Sequence, residues 1–239
     1  MVFEWFKRRR LKAAAHVLPS RGDALDASGK IDLADISPDA LSYLGQVAYF
    51  ELAVFESLTR AVSEAPDLAS KEDLSLVAGE ALDKHHGMVN IIRQMKADAA
   101  ATMQPFTEDI DRFESLTHGR DWYETLLGVY LTAGFLNEFF LELAGALPKK
   151  HRLTVQEILS TDRTGEVLVA AIRGGIEVDP KLASRLAMWG RRLMGDTQLV
   201  ARGALRLSAD GSDESKLEPV FTDLIGTHTK RMDALGLTA

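Results

Sequence analysis

Cysteine is absent from the 239 residues. That excludes disulfides, thiolate zinc sites, cysteine-held iron–sulfur clusters and a cysteine nucleophile. Any metal would have to be held by Asp, Glu or His, a donor set that suits iron or manganese. Runs of alternating β-branched residues, the signature of strands, are almost missing. No uncharged apolar run reaches the roughly 20 residues needed to cross a bilayer; the richest, Thr125 to Leu136, stops at Asn137 and Glu138. The N-terminus lacks the long apolar stretch and small-residue cleavage site of a secretory leader. The expectation is a soluble, cytoplasmic protein. An excess of positive charge is lacking as well: the formal net charge is −7. This argues against a nucleic-acid coat protein but leaves room for a local basic patch.

With 46% hydrophobic residues the chain can bury a full core, and its length suits one domain plus an extension. The extension is MVFEWFKRRRLKAAA, where Phe3, Trp5 and Phe6 precede Lys7, Arg8, Arg9, Arg10 and Lys12. Rings beside cations suit an anionic membrane surface or an acidic protein partner, so peripheral membrane attachment is one expectation for residues 1–12. A solvated basic tail is the other. Residues 13–36 carry Pro19, Gly22 and Gly29 without a sustained period and read as linker, giving an N-terminal segment over 1–36 and a helical domain over 37–239.

Helical signals begin at Ser37-Pro38-Asp39, a cap with proline in the first turn, ahead of an apolar face of Leu44, Val47, Val54, Leu58 and Val62. Ser70 with Asp73 starts a second helix running to about residue 100, and Asp121 with Glu124 caps a third reaching Leu147. A shorter helix is expected over 164–177, another from Asp179-Pro180 to about residue 207, and a last one over 217–235 after the polar loop SADGSDES. The four long segments, 39–64, 71–100, 121–147 and 180–207, have the length of a four-helix bundle. The fold class is therefore all-α, with shorter helices dressing the bundle.

One ionisable residue falls near the middle of each long helix. On a 100° wheel, Leu74, Ala78, Ala81, Leu82, His85, Val89 and Ile92 share a stripe with His85 at its centre. Glu51 interrupts the stripe of the first helix, Glu138 continues Leu127, Leu131 and Gly134, and Asp196 lies between Leu193 and Val200. The wheel turns Asp83 outward and sets Glu80 well off-axis, so the Asp83/His86 pair mostly faces away. His228 continues Leu217, Phe221 and Leu224 on the last helix and reads as a core histidine. Buried ionisable groups at one height are costly unless they bind a metal or satisfy one another. The choice is between a metal site and a satisfied polar layer.

Several stretches, in this order, carry a family resemblance: YFELAVFESL, KHH, DWYETLLGVYLTAGFLNEFFLELA, DPKLASRLAMWGRRLMGD and HTKRMDALGL. Together they resemble the ferritin-like superfamily and, more narrowly, the bacterial family similar to the tRNA isopentenyladenosine hydroxylase, MiaE-like. The resemblance implies a bundle in which two helices give a glutamate each and two give Glu-x-x-His, holding two iron or manganese ions. Carried over by position, Glu51 matches the first glutamate and His85 the histidine of the second helix. Leu82 stands where an acid is expected. Glu138 is the substitute on the third helix, and Asp196 the acid on the fourth, with Leu199 in place of its histidine. Glu51, His85, Glu138 and Asp196 are thus the first-choice ligands, and Glu80, Asp83 and His86 the second choice should the helix register shift.

Two functions follow as expectations. One is an oxygen-dependent hydroxylase acting on tRNA, with Arg185, Arg191, Arg192, Arg202, Arg206, Lys149, Lys150 and Arg152 as a cationic face. The other is a non-catalytic ferritin-fold binding or scaffold protein, tethered through residues 1–12. Iron storage has no sequence support, because nothing marks a cage-forming subunit.

Overall fold

The computed structural model describes residues 39–145, 147–161, 163–206 and 218–238. The expectations for residues 1–36 lie outside them. Every regular element among the described residues is helical: α1 Ala40–Glu64, α2 Leu68–Gln94, α3 Ala99–Met103, α4 Thr107–Thr117 after a 3-10 turn Gln104–Phe106, α5 Trp122–Ala144, α6 Lys149–Leu159, α7 Arg163–Val178, α8 Lys181–Arg206 and α9 Glu218–Ala234. The all-α expectation holds.

The caps show why the helices start where they do. Asp39 caps α1, its carboxylate accepting from Leu41 N–H at 3.0 Å and Ser42 N–H at 3.1 Å. Asp67, three residues ahead of the expected Ser70, caps α2 by accepting from Ser70 N–H at 2.8 Å. The expected pair does cap α5. Asp121 accepts from Glu124 N–H at 3.0 Å, and Glu124 reaches back to Arg120 N–H at 3.0 Å. α2 ends six residues short of the expected 100, because Lys96 takes φ 62° and Ala97 N–H turns back to Ile92 O at 3.2 Å. A left-handed residue ends a helix by satisfying its last carbonyls, a place usually taken by glycine.

α1 and α2, joined by three residues, pack along their lengths as an antiparallel hairpin. α5 is the core helix. Leu126, Leu127, Leu131, Phe135, Leu136, Phe139 and Phe140 are all buried, so it is apolar on nearly every side. It is the one described helix long and apolar enough to cross a membrane, and 67% of its most apolar window is buried inside the bundle. α7 packs on both α2 and α5, while α8 packs on α5, α4 and α9. The central ring is therefore α1, α2, α5 and α7, not the four longest helices as expected. Length misleads here, because α8 lies outside α5.

Candidate functional site

Four ring helices and α9 border a partly open cavity of about 30 Å³ lined by Glu51, Lys84, Tyr130, Asn137, Thr164 and Arg231 over a floor that includes Val54, Ala81, Val129 and Leu168. α1 carries Glu51 inward, 4% exposed, among Val47, Val54 and Leu58. Its charge is felt nearby: the hydroxyl of Tyr43 is pushed well above its ordinary value, first by burial and second by Glu51. That hydroxyl donates to Phe140 O at 2.8 Å.

Lys84 comes from α2, where it shares a second apolar stripe with Val77, Ala81, Met88 and Ile91, all buried. Its ammonium lies 3.4 Å from Glu80 Oε1 one turn earlier, and both side chains are nearly enclosed. Arg231 arrives from α9. Its guanidinium sits where a Cβ on residue 134 would be, so Gly134 is what admits it. Arg231 then pairs with Glu138 Oε1 at 3.1 Å and lies over the Tyr130 ring, 5.3 Å from its centroid. Glu80 Oε1, Arg231 Nε and Asn137 Oδ1 are buried with no hydrogen-bond partner, Glu80 having only the ion pair with Lys84, whereas Asn137 Nδ2 donates to Leu159 O at 3.0 Å.

The sequence-predicted residues are brought together only in part. Glu51 lines the cavity, and Glu138 and Glu80 stand behind its two cations. His85 is buried as expected, but its Nδ1 donates to the α1 carbonyl of Ala48 at 2.8 Å, and it does not line the cavity. Asp83 and His86 are exposed, as the wheel places them. Asp196 is half-buried on α8, outside the ring. Among the described residues no three His, Asp or Glu side chains form a group able to hold a metal ion. Donor chemistry agrees: the cavity presents an ammonium and a guanidinium, and both repel a metal cation. Sequence reasoning passed over Lys84 and Arg231; the 77-81-84-88-91 spacing was legible for Lys84, whereas Arg231 depends on a contact with Gly134 that only the fold reveals.

His228 meets its expectation as a core histidine. It is 3% exposed, and burial chiefly holds its pKa down to about 4, helped by the charge of Arg231 and opposed by a hydrogen bond to the Gly190 backbone. Part of the expected cationic face makes contacts within the protein: Arg185 pairs with Asp121, Arg191 donates to Thr238 O at 2.6 Å, Arg192 lies over Trp189 and Arg152 donates to Gly145 O at 3.2 Å, while Lys149 and Lys150 are exposed. The side chains of Arg202 and Arg206 lie outside those described. A larger open groove, about 480 Å³ between α8 and Gly236–Thr238, has Arg191 as its one ionisable side chain among the described residues.

None of the curated proteins compared with this chain matches it. A family model described as the ferritin-like domain of actinomycetes matches residues 38–216, spanning α1 to α8 and stopping before α9, the helix that carries Arg231. The chain belongs to this ferritin-like domain family.

Proposed function

We propose that this protein is a ferritin-fold binding or scaffold protein whose bundle centre is neutralised by side-chain cations, not a di-metal oxygenase. The observation that carries the reading is the presence of Lys84 and Arg231 on the cavity that Glu51 enters. A di-metal centre needs several anionic or neutral donors converging on a small volume, with carboxylates balancing the charge of the ions. Here Glu80 and Glu138 already balance an ammonium and a guanidinium.

The narrower reading, oxygen-dependent hydroxylation of a tRNA base, needs Glu80, Asp83 or His86 turned inward. Glu80 is nearly enclosed but lies against Lys84, and Asp83 and His86 are exposed on a helix that runs without interruption from Leu68 to Gln94. For the tether we retain residues 1–12, five cations and three aromatic rings against one carboxylate, acting on an anionic membrane surface or an acidic protein.

The test is elemental analysis of protein purified without chelator and incubated with ferrous or manganous ion. Substoichiometric metal is expected. Two ions per chain would overturn the proposal and restore the oxygenase. Deleting residues 1–12 should reduce sedimentation with anionic vesicles while leaving thermal stability nearly unchanged; unaltered sedimentation counts against the membrane tether.

A further inference from the structure

We propose that α9 is a lid on the bundle: it undocks from α5 and α8 as one piece while the other helices stay folded, and its departure opens the central cavity to solvent. The inference does not depend on what the cavity holds.

The anchorage of α9 is short. Among its described side chains only His228 and Met232 are buried, joined by Leu235 and Leu237 just beyond its end, whereas Thr222, Ile225 and Gly226 are exposed. Two consecutive residues occupy places that glycines leave open, Arg231 at Gly134 of α5 and Met232 at Gly190 of α8. The other links are polar and reach the C-terminal end of the helix. Arg173 of α7 donates to Ala234 O at 3.0 Å, and Arg191 of α8 donates to Thr238 O at 2.6 Å. Few buried apolar groups and exposed polar links characterise a unit that opens at low free energy. α9 also lies outside the stretch matched by the family model, residues 38–216.

Arg231 couples this unit to the cavity, because its guanidinium both lines the cavity and pairs with Glu138. Its Nε is buried without a partner, a cost of the docked state that undocking relieves when water accepts from it. Withdrawal of α9 removes the Arg231 side of the lining, and Lys84, buried on the same cavity, then meets solvent.

Protonation of His228 drives the opening. The ring is hydrogen-bonded to the Gly190 backbone within the anchorage, and burial holds its pKa to about 4. The charge that acts on it is that of Arg231, on its own helix; among the described residues no charged side chain of α5, α7 or α8 does so, and Glu138 of α5 is engaged by Arg231. A proton on this ring therefore favours the undocked state, in which the charge reaches water.

The experiment uses the full chain and reads both ends of the coupling. Native-state hydrogen exchange at pH 7 should show the amides of residues 228–235 opening together, with protection lower than that of α5 by a factor of roughly ten or more. With intrinsic rates removed, their opening should rise about tenfold from pH 7 to pH 5. His228→Asn keeps an N–H for the Gly190 backbone and should erase that acid step. Amine acylation at pH 8, read at Lys84 by mass spectrometry, should quicken about tenfold in Gly190→Leu, whose side chain fills the place of Met232, while α5 stays protected. In case that variant folds poorly, wild-type protein in mild urea gives the same reading: Lys84 acylation should rise with α9 exchange and ahead of α5 exchange. If α9 amides open only together with those of α5, or if Lys84 labelling follows α5 and not α9, then α9 is a fixed part of the core and the proposal is overturned.

Discussion

α1 and α5 carry two buried polar clusters, and the contrast between them separates a site from a joint. Toward the far end of α1, Ser57 donates to Glu114 of α4, Arg60 donates to Ser57 Oγ at 2.8 Å, and Arg60 lies 3.8 Å from Glu114. The space beside them is about 10 Å³, and none of the three side chains has a buried atom without a partner. At the bundle centre, Glu51, Lys84 and Arg231 surround three times that space, and Arg231 Nε and Asn137 Oδ1 have no partner. Both clusters combine carboxylates and cations. Only the central one has polar groups left to satisfy, and that, more than polarity itself, distinguishes a ligand site from a structural joint.

The contrast is broken most severely by removing the central ammonium. Lys84→Met leaves Glu80, 12% exposed, without its partner and deprives Glu51 of a neighbouring cation. Urea unfolding at pH 7 should show a loss of about 3 kcal/mol, and Lys84→Met with Glu80→Leu should recover most of it, because an apolar pair replaces a buried ion pair at little cost. Arg60→Met at the joint should cost no more than about 1 kcal/mol, since Arg60 is 47% exposed.

Acid should separate the clusters by sign. His228 anchors α9, and its pKa is lowered from 6.5 to about 4. Its stabilising effect is full above pH 6.5 and is lost as pH falls toward 4, by about 2 kcal/mol after allowing for partial solvent access. Glu114 behaves oppositely. Burial raises its pKa, opposed by the Ser57 hydrogen bond and the Arg60 charge and assisted by Glu56 and Asp111. Its contribution is present below 4.5 and is lost as pH rises above that. Hydrogen exchange at pH 7 and pH 5, corrected for intrinsic rates, should show α9 loosening and α4 tightening as the solution is acidified. Parallel changes in both helices would refute the assignment.

Gly134→Ala tests the notch. The new methyl runs into the Arg231 guanidinium, so α9 must shift. A cost of about 1–2 kcal/mol is expected, and it should largely vanish in an Arg231→Ala background, where the two changes couple in a double-mutant cycle.

Much of this architecture was legible in the sequence, and its misses have physical causes. Periodicity found the long helices and the inward positions of Glu51, His85 and His228, and the Asp121/Glu124 pair marked the start of α5. The end of α2 was hidden because the left-handed position is held by Lys96 and not by glycine. α4 was missed because its buried face is short, with Ile110, Phe113 and Thr117 on eleven residues. The ring was misread because helix length says nothing about which neighbour a helix chooses, and α7 fills the place expected of α8. The site was read through its carboxylates and His85, which leaves out cations. Lys84 sits on an apolar stripe, yet a long cationic side chain is usually assigned to solvent. Arg231 becomes visible only when Gly134 of a distant helix is known to face it.

A similarly small effect is expected at the joint from Ser57→Ala. The hydroxyl of Ser57, 4% exposed, donates to Glu114 and accepts from Arg60, so its loss removes two hydrogen bonds at once. Three things limit the cost. Glu114 keeps the charge of Arg60, the adjacent space of about 10 Å³ grows by the lost oxygen until a water fits, and Glu114 can take a proton because its pKa is already raised. The net penalty at pH 7 should be about 1 kcal/mol. It should shrink on acidification, as the protonated carboxyl needs the hydroxyl less. Hydrogen exchange should place the loss in α4 and the facing turns of α1, leaving α9 unchanged. A Ser57→Ala variant whose α9 amides exchanged faster would show that the two clusters are coupled through α1, and the distinction between joint and site would fail.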